Sequence, residues 1–167
     1  QGTTSRTPEE IAEAIEFVGG SLSASAGTEN TVVTAQVVAK DAGLALELMA
    51  DVVLNSAFPE AEVALLRNQY VGAVRQQKDD PLTLASAHGA AFFYGAGHRL
   101  GRADTEASYA AITRDDIVAF HRDHYGPREA VFLAVGDLDA RWVMQEVARL
   151  FGGWQGPAAP APEVEPV

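Results

Sequence analysis

The sequence predicts an α+β protein of two layers, in which helices cover a mostly antiparallel sheet. Three observations point there. Apolar residues recur at helical spacing in one segment after another. Two stretches near the N-terminus, residues 21–26 and 33–38, switch to a period of two. Residues 130–135 (AVFLAV) form a nearly unbroken apolar run that reads as a buried strand.

The first helix has its start written into the chain. Thr7 and Glu10, three residues apart, can exchange side chain-to-backbone hydrogen bonds as a capping box, and Pro8 sits at the first helical position, where a missing N–H costs nothing. Ile11, Ala14, Ile15 and Val18 share a face, with Glu9, Glu10, Glu13 and Glu16 off it. Gly19-Gly20 ends the helix, because glycine takes the left-handed conformation without a Cβ penalty. Leu22, Ala24 and Ala26 then alternate with Ser21, Ser23 and Ser25, and Val33, Ala35 and Val37 alternate with Thr34, Gln36 and Val38, so the unit reads helix, strand, hairpin, strand.

Helices follow. Residues 42–54 place Leu44, Leu48 and Val52 on one face with Ala45 and Met49 at its edge, and Asn55 stops the helix before Pro59. Pro59-Glu60 opens a helix that runs to Lys78, where Asp79-Asp80-Pro81 breaks it. Residues 82–94 form an Ala-rich helix ended by Gly95-Ala96-Gly97. Thr113, with Asp116 at the capping-box position, starts a helix over residues 114–124 that Gly126-Pro127 closes. After the apolar run, Asp139 starts a last helix through Val143, Val147 and Leu150. From Gly156 the sequence PAAPAPEVEPV lacks the apolar bulk to pack, so residues 1–155 are expected to form the domain and 156–167 a Pro-rich linker or tail.

Composition removes several function classes. A chain of 167 residues, 47% of them hydrophobic, suits one domain of ordinary size. Its net charge of −11 opposes binding to a phosphate backbone, so nucleic acid is not an expected partner. Without cysteine there are neither disulfides nor thiolate zinc sites. No apolar run approaches the ~20 residues that span a bilayer, and no signal-peptide pattern is legible. The first residue is Gln1 rather than Met, an upstream segment is therefore expected, and the sequence assigns no compartment.

Several motifs, in order, carry a resemblance. Gly2-Thr3, the helix ending IAEAIEFVGG, the small-residue strand and a Thr-Glu-Asn turn are followed by DVVLNSAF at 51–58, KDDP at 78–81, a Gly-His-x-Leu-Gly-Arg at 97–102, ITRDDIVAFHRDHYGP at 112–127, VGDLD at 135–139 and FGGW at 151–154. Collinear over residues 2–154, this order resembles the insulinase, pitrilysin and mitochondrial processing peptidase superfamily of zinc metallopeptidases. The resemblance implies a processing-peptidase-like metallohydrolase fold. In such enzymes a helical His-x-x-Glu-His motif supplies two zinc ligands and the general base, and a later helix supplies a Glu ligand; catalytic zinc keeps a fourth position open for water. No His-x-x-Glu-His occurs in this sequence, and by the resemblance it would precede Gly2. Aligned on KDDP, the ligand Glu falls at Ala73 and a further functional Glu at Leu66, and there is no Asp or Glu between Val63 and Lys78.

The chain thus resembles the non-catalytic type of domain in this family. No catalytic and no metal-binding residue is assigned to it, and no cofactor; zinc is expected only in a catalytic partner. The implied partners are a catalytic peptidase subunit or second domain, in a dimer or larger assembly that forms a peptide-binding chamber, and an extended peptide substrate. By the same resemblance the strand residues Ser21, Leu22, Ser23, Ala24 and Ser25 line the cleft and pair with that peptide through main-chain hydrogen bonds, Ser23-Ala24 standing where active relatives have Asn-Ala. The other reading of this strand is an ordinary sheet strand with a solvent-facing serine row. Two further functional readings stand beside the first: a fragment of an active zinc endopeptidase whose motif lies upstream, and a scaffold or binding module with no peptidase partner. Among the remaining candidates, His121 and His124 share a helix face at a spacing of three but read more simply as polar residues at a helix C-terminus. His88 and His98 are isolated, and Asp79-Asp80 and Asp115-Asp116 sit at helix boundaries where Asp caps.

Overall fold

The computed structural model describes residues 2–27 and 29–156. Along them run α1 (Pro8–Phe17), β1 (Ser21–Ala26), β2 (Thr31–Gln36), α2 (Ala42–Leu54), α3 (Glu60–Gln77), α4 (Pro81–Tyr94), α5 (Glu106–Ala111), α6 (Arg114–His124) and α7 (Ala140–Phe151), with 3-10 turns at Ala39–Asp41 and Pro127–Glu129. This is the expected mixture of helices with an antiparallel sheet, and the sheet among the described residues has two strands, β1 and β2. The residues divide between two compact units, one built from the chain up to Phe58 and from Arg122 onward, the other from Pro59–His121. The tail expected from Gly156 lies, from Pro157 on, outside the described residues.

The first unit grows from α1. Thr7 accepts the Glu10 N–H at 3.2 Å, and Glu10 returns the bond by accepting the Thr7 N–H at 2.7 Å, which completes the capping box. Gly19 takes φ +68°, and Gly20 lets β2 come close: a Cβ there would lie 2.6 Å from Val37 Cγ1 and 2.8 Å from the Gln36 carbonyl. Ile15 of α1 meets Ala45 and Leu48 of α2, and Ala14, Val18, Leu22, Ala35, Val37 and Leu44 close around them. Leu48 is fully buried, worth about 2–3 kcal/mol against exposure. The sequence places one face of α2 inward; the structure buries Ala42, Ala45, Leu46, Leu48, Ala50 and Asp51, which spread around the helix. Glu47 escapes, reaching Arg149 of α7 at 3.3 Å. Asp139 starts α7 by accepting the N–H groups of Arg141 and Trp142 at 2.7 and 3.1 Å.

A buried carboxylate ties the N-terminal segment to α2. Asp51 accepts from Thr3 Oγ1 (2.8 Å), Ser5 Oγ (2.9 Å), Arg6 Nη1 (2.6 Å) and Asn55 Nδ2 (2.9 Å). Burial pushes its pKa up, but the bonds from Asn55, Thr3, Arg6 and Ser5 outweigh that and hold the carboxyl below its ordinary value.

One expected element is absent. Residues 130–135 do not form a buried strand: no strand is assigned there, and Val131, Leu133 and Val135 are 93%, 81% and 87% exposed. The apolar run that suggested burial is real, but no strand among the described residues lies beside it to form a ladder.

In the second unit α3 packs against α4 and α5. Val63 and Val74 are its buried residues, the Tyr70 and Tyr109 rings stack at 5.1 Å, and Glu106 of α5 accepts from Arg75 at 2.9 Å and Lys78 at 2.7 Å. The sequence reading missed α5. Its signal was present in Thr105 and Ser108, which exchange bonds as a capping box at 3.0 Å each way, but the helix is too short for an apolar period to show. Asp80 caps α4 by accepting from Leu82 N–H and Thr83 Oγ1, and Thr113 and Asp116 form the expected box before α6.

Candidate peptide-binding edge and the zinc position

β1 is paired on one edge only. Its register with β2 runs from Ser21 opposite Gln36 to Ala26 opposite Thr31, and no other strand among the described residues joins it. Leu22 is half-buried, turned toward Ile15 and Leu48, while Ser21, Ser23, Ala24 and Ser25 are exposed. The serine row therefore stands on the solvent side, as alternation implies.

Register decides which backbone groups face outward. The Gly27 N–H donates to the Asn30 carbonyl at 2.8 Å, so this pair lies at a hydrogen-bonded position. In an antiparallel ladder such positions alternate with non-bonded ones. Counting back along the register, Ser25, Ser23 and Ser21 direct their N–H and C=O groups to Val32, Thr34 and Gln36. Leu22 and Ala24 direct theirs to the free edge. The five candidate residues thus separate by role. The serines hold the hairpin together through their backbones and show hydroxyls to one face, and Leu22 and Ala24 each offer a donor and an acceptor to an added strand about 7 Å apart.

The two α3 positions that the resemblance gives to family carboxylates are apolar. Leu66 and Ala73 both lie on the exposed part of α3, Leu66 at 50% exposure, and neither can coordinate a metal. Glu106, the carboxylate that does contact α3, is engaged by Lys78 and then Arg75, whose hydrogen bonds hold it below the usual range. Among the described residues no group of three or more His, Asp or Glu side chains is placed to hold a metal ion. At Leu66 and Ala73 themselves, the side chains have no atom that could serve as a zinc ligand.

The other candidates take structural places. The His98 ring stacks on Tyr94 at 5.4 Å, and its Nδ1 accepts the Leu100 N–H at 3.1 Å, which shapes the Gly-rich turn. His88 is exposed on α4. His121 and His124 lie on the last turns of α6 and belong to no metal-binding group. Asp80 caps α4 and Asp116, inside the first turn of α6, closes the box with Thr113; each carboxyl is held low by hydrogen bonds, first from the threonine hydroxyl. No helix among the described residues is long and apolar enough to cross a membrane.

Comparison with known proteins agrees with this fold. The family model described as insulinase (peptidase family M16) matches residues 1–98, and the model described as peptidase M16 inactive domain matches residues 111–167. An uncharacterized zinc protease of Mycobacterium leprae is 34% identical over 154 residues, a match covering 91% of this chain and 34% of that protein. Among solved structures, a peptidase M16 inactive domain from Pseudomonas fluorescens superposes with a TM-score of 0.87 at 26% identity, over 99% of this chain and 41% of that one. A protease from Helicobacter pylori shares the fold, with a TM-score of 0.84 at 22% identity, over 98% of this chain and 41% of its own. The chain spans about a third of the length of the curated relatives it matches. With the capped α1, its Gly-Gly stop, the β1–β2 hairpin and the KDDP break all where the resemblance puts them, this chain belongs to the insulinase family of peptidases, family M16.

Proposed function

We propose that this chain is the non-catalytic side of a peptidase chamber, with residues 1–155 as the peptidase-like domain and 156–167 as a linker. It holds an extended peptide along β1 while a catalytic subunit or second domain carries the zinc. The observation that carries the reading is the surface of α3: where the family has carboxylates, Leu66 and Ala73 offer only hydrocarbon, and no acid stands between Val63 and Lys78 to replace them. A half of the chamber that has lost its metal can still bind substrate through backbone groups, because strand addition depends on main-chain donors and acceptors rather than on side-chain identity. The unpaired edge of β1 supplies those groups at Leu22 and Ala24.

Two measurements test this. Elemental analysis after dialysis against dilute zinc is expected to find no stoichiometric metal on the chain, and the chain alone is expected to leave unfolded peptides intact. One tightly held zinc with chelator-sensitive cleavage would establish the active-fragment reading instead. The second measurement is peptide processing by the assembly reconstituted with its catalytic partner. Ala24→Pro removes a donor from the free edge and is expected to lower processing at least tenfold, about 1.4 kcal/mol, with circular dichroism unchanged. Ser23→Pro removes a donor from the hairpin itself, so it is expected to destabilise the fold. Unchanged processing by a folded Ala24→Pro chain would rule out β1 as the peptide edge.

A further inference from the structure

The two ends of the β1–β2 hairpin are held differently. At the end nearest α1, Leu22 and Ala35 pack with Ile15 of α1 and Leu48 of α2. At the other end Ala24, Ser25, Ala26, Thr31 and Val32 are all exposed, and the turn closes with the Gly27 N–H on the Asn30 carbonyl at 2.8 Å. A two-stranded ribbon with little apolar surface against a neighbour is marginal in water. This half nevertheless carries Ala24, one of the two candidate residues whose backbone groups reach the free edge.

Tyr125 reaches that half from outside the hairpin. Its hydroxyl donates to Thr31 Oγ1 at 3.0 Å, which joins the first residue of β2 to the residue that follows α6, 94 positions on. By alternation Thr31 shares the face of Val33 and Ala35, so the tyrosine meets the ribbon from the side of the core. The backbone of Tyr125 is met in turn by the end of the domain. After α7 the Trp154 N–H turns back onto the Phe151 carbonyl at 2.9 Å, and the two rings stand 6.1 Å apart. Gly156 then comes in so close that a Cβ there would lie 2.8 Å from the Tyr125 carbonyl oxygen and 2.9 Å from Gly126 Cα. Glycine passes at that distance because it has no Cβ to clash. All of these residues belong to the first unit.

We propose that Tyr125 is a positioning residue for the peptide edge, an inference that rests on β1 being that edge. Its hydroxyl holds the outer half of the hairpin extended, so that Leu22 and Ala24 present their donors and acceptors as one row. Gly156, at the root of the tail, lets the chain close over the tyrosine's backbone and keeps it in place. The energetic role is preorganisation. An edge that has to order itself when peptide arrives loses that cost from its affinity, whereas an edge fastened beforehand does not. The fastening is one hydroxyl-to-hydroxyl bond, so it can be removed without disturbing the ring or the β-branch that carry it.

Amide hydrogen exchange and peptide affinity, both on the 167-residue chain, test the proposal, with an acetylated and amidated octapeptide of alternating Val and Thr as the probe. The reporter is the Gly27 amide, which is bonded to Asn30 and faces away from any added strand. Tyr125→Phe is expected to speed its exchange about fivefold, the usual worth of one hydrogen bond, with the Leu48 amide of α2 unchanged. The same variant is expected to weaken probe binding about threefold. Thr31→Val is expected to match it, Thr31→Ser, which keeps the hydroxyl, to behave as the parent, and the double variant Tyr125→Phe/Thr31→Val to be no worse than either alone. Gly156→Ala is expected to speed Gly27 exchange as well. By reciprocity, probe is expected to slow Gly27 exchange in the parent and less so in Tyr125→Phe. Unmoved Gly27 exchange in Tyr125→Phe would overturn the proposal whatever the peptide does. Faster exchange with unchanged probe affinity would also overturn it, and Ala24→Pro then separates the two readings. If Ala24→Pro loses the probe, β1 is the edge and works without Tyr125. If Ala24→Pro binds as the parent does, or the parent binds no probe at millimolar concentration, β1 is not the edge and the positioning role falls with it.

Discussion

Asp51 shows how one side chain organises a segment. Four hydrogen bonds converge on it, and three of them come from the stretch just before α1, so the carboxylate fixes the approach of the chain into the domain. Its folded pKa is lowered, so the stabilisation it provides is present above the ordinary carboxylate value, near 4, and is lost as pH falls through the lowered folded value. Asp51→Ala is expected to cost about 2–3 kcal/mol at neutral pH, the usual worth of hydrogen bonds to a buried charge. In urea titrations the gap between parent and variant is expected to shrink as pH drops below about 4; a gap of constant size would mean the carboxylate is not the source. Gly20 is constrained by space instead of charge. With β2 backbone 2.8 Å from its Cβ position, Gly20→Ala is expected to cost about 1–3 kcal/mol in the same assay.

Elements were legible in proportion to how locally their signals are stored. The α1 capping box, the Asp80 and Asp139 caps, the Asp116 box and the glycine stop all join residues within four positions of one another, and all appear as read. Thr7→Ala is accordingly expected to lower stability by about 1 kcal/mol, seen as a shift in the urea midpoint with an unchanged slope; no shift would mean that Glu10 and Pro8 suffice to start the helix. Elements whose signal is tertiary were misread. The apolar run at 130–135 has every local mark of a buried strand, yet burial depends on a neighbour that no local pattern encodes. α2 was read as one-faced because its period shows one stripe, whereas packing from several sides covers its small residues as well. The candidate edge falls between these cases. Alternation placed the serines on the outer face, but only the register told which backbone groups point outward, and among the five candidates it sets Leu22 and Ala24 at the free edge.

At the scale of the whole molecule, charge is the feature that no single element explains. Twenty-three acidic residues against twelve basic ones leave a net charge of −11, spread over a chain whose described ion pairs are mostly exposed. Exposed pairs contribute little individually, whereas the repulsion among excess carboxylates is summed over the compact state and relaxes on unfolding. Repulsion is therefore the larger effect, and salt decides the matter. Raising ionic strength from about 0.01 to 0.15 M shortens the screening length from about 30 to about 8 Å, which removes most repulsion across the domain but less of a contact such as Arg149–Glu146 at 2.6 Å. The melting temperature is expected to rise over this range and then level off. A melting temperature that falls with salt would show that Glu106 with its two cations, Arg149 with Glu47 and Glu146, and their like outweigh the excess charge. The acidic surface would then be stabilising through its pairs rather than tolerated in spite of its repulsion.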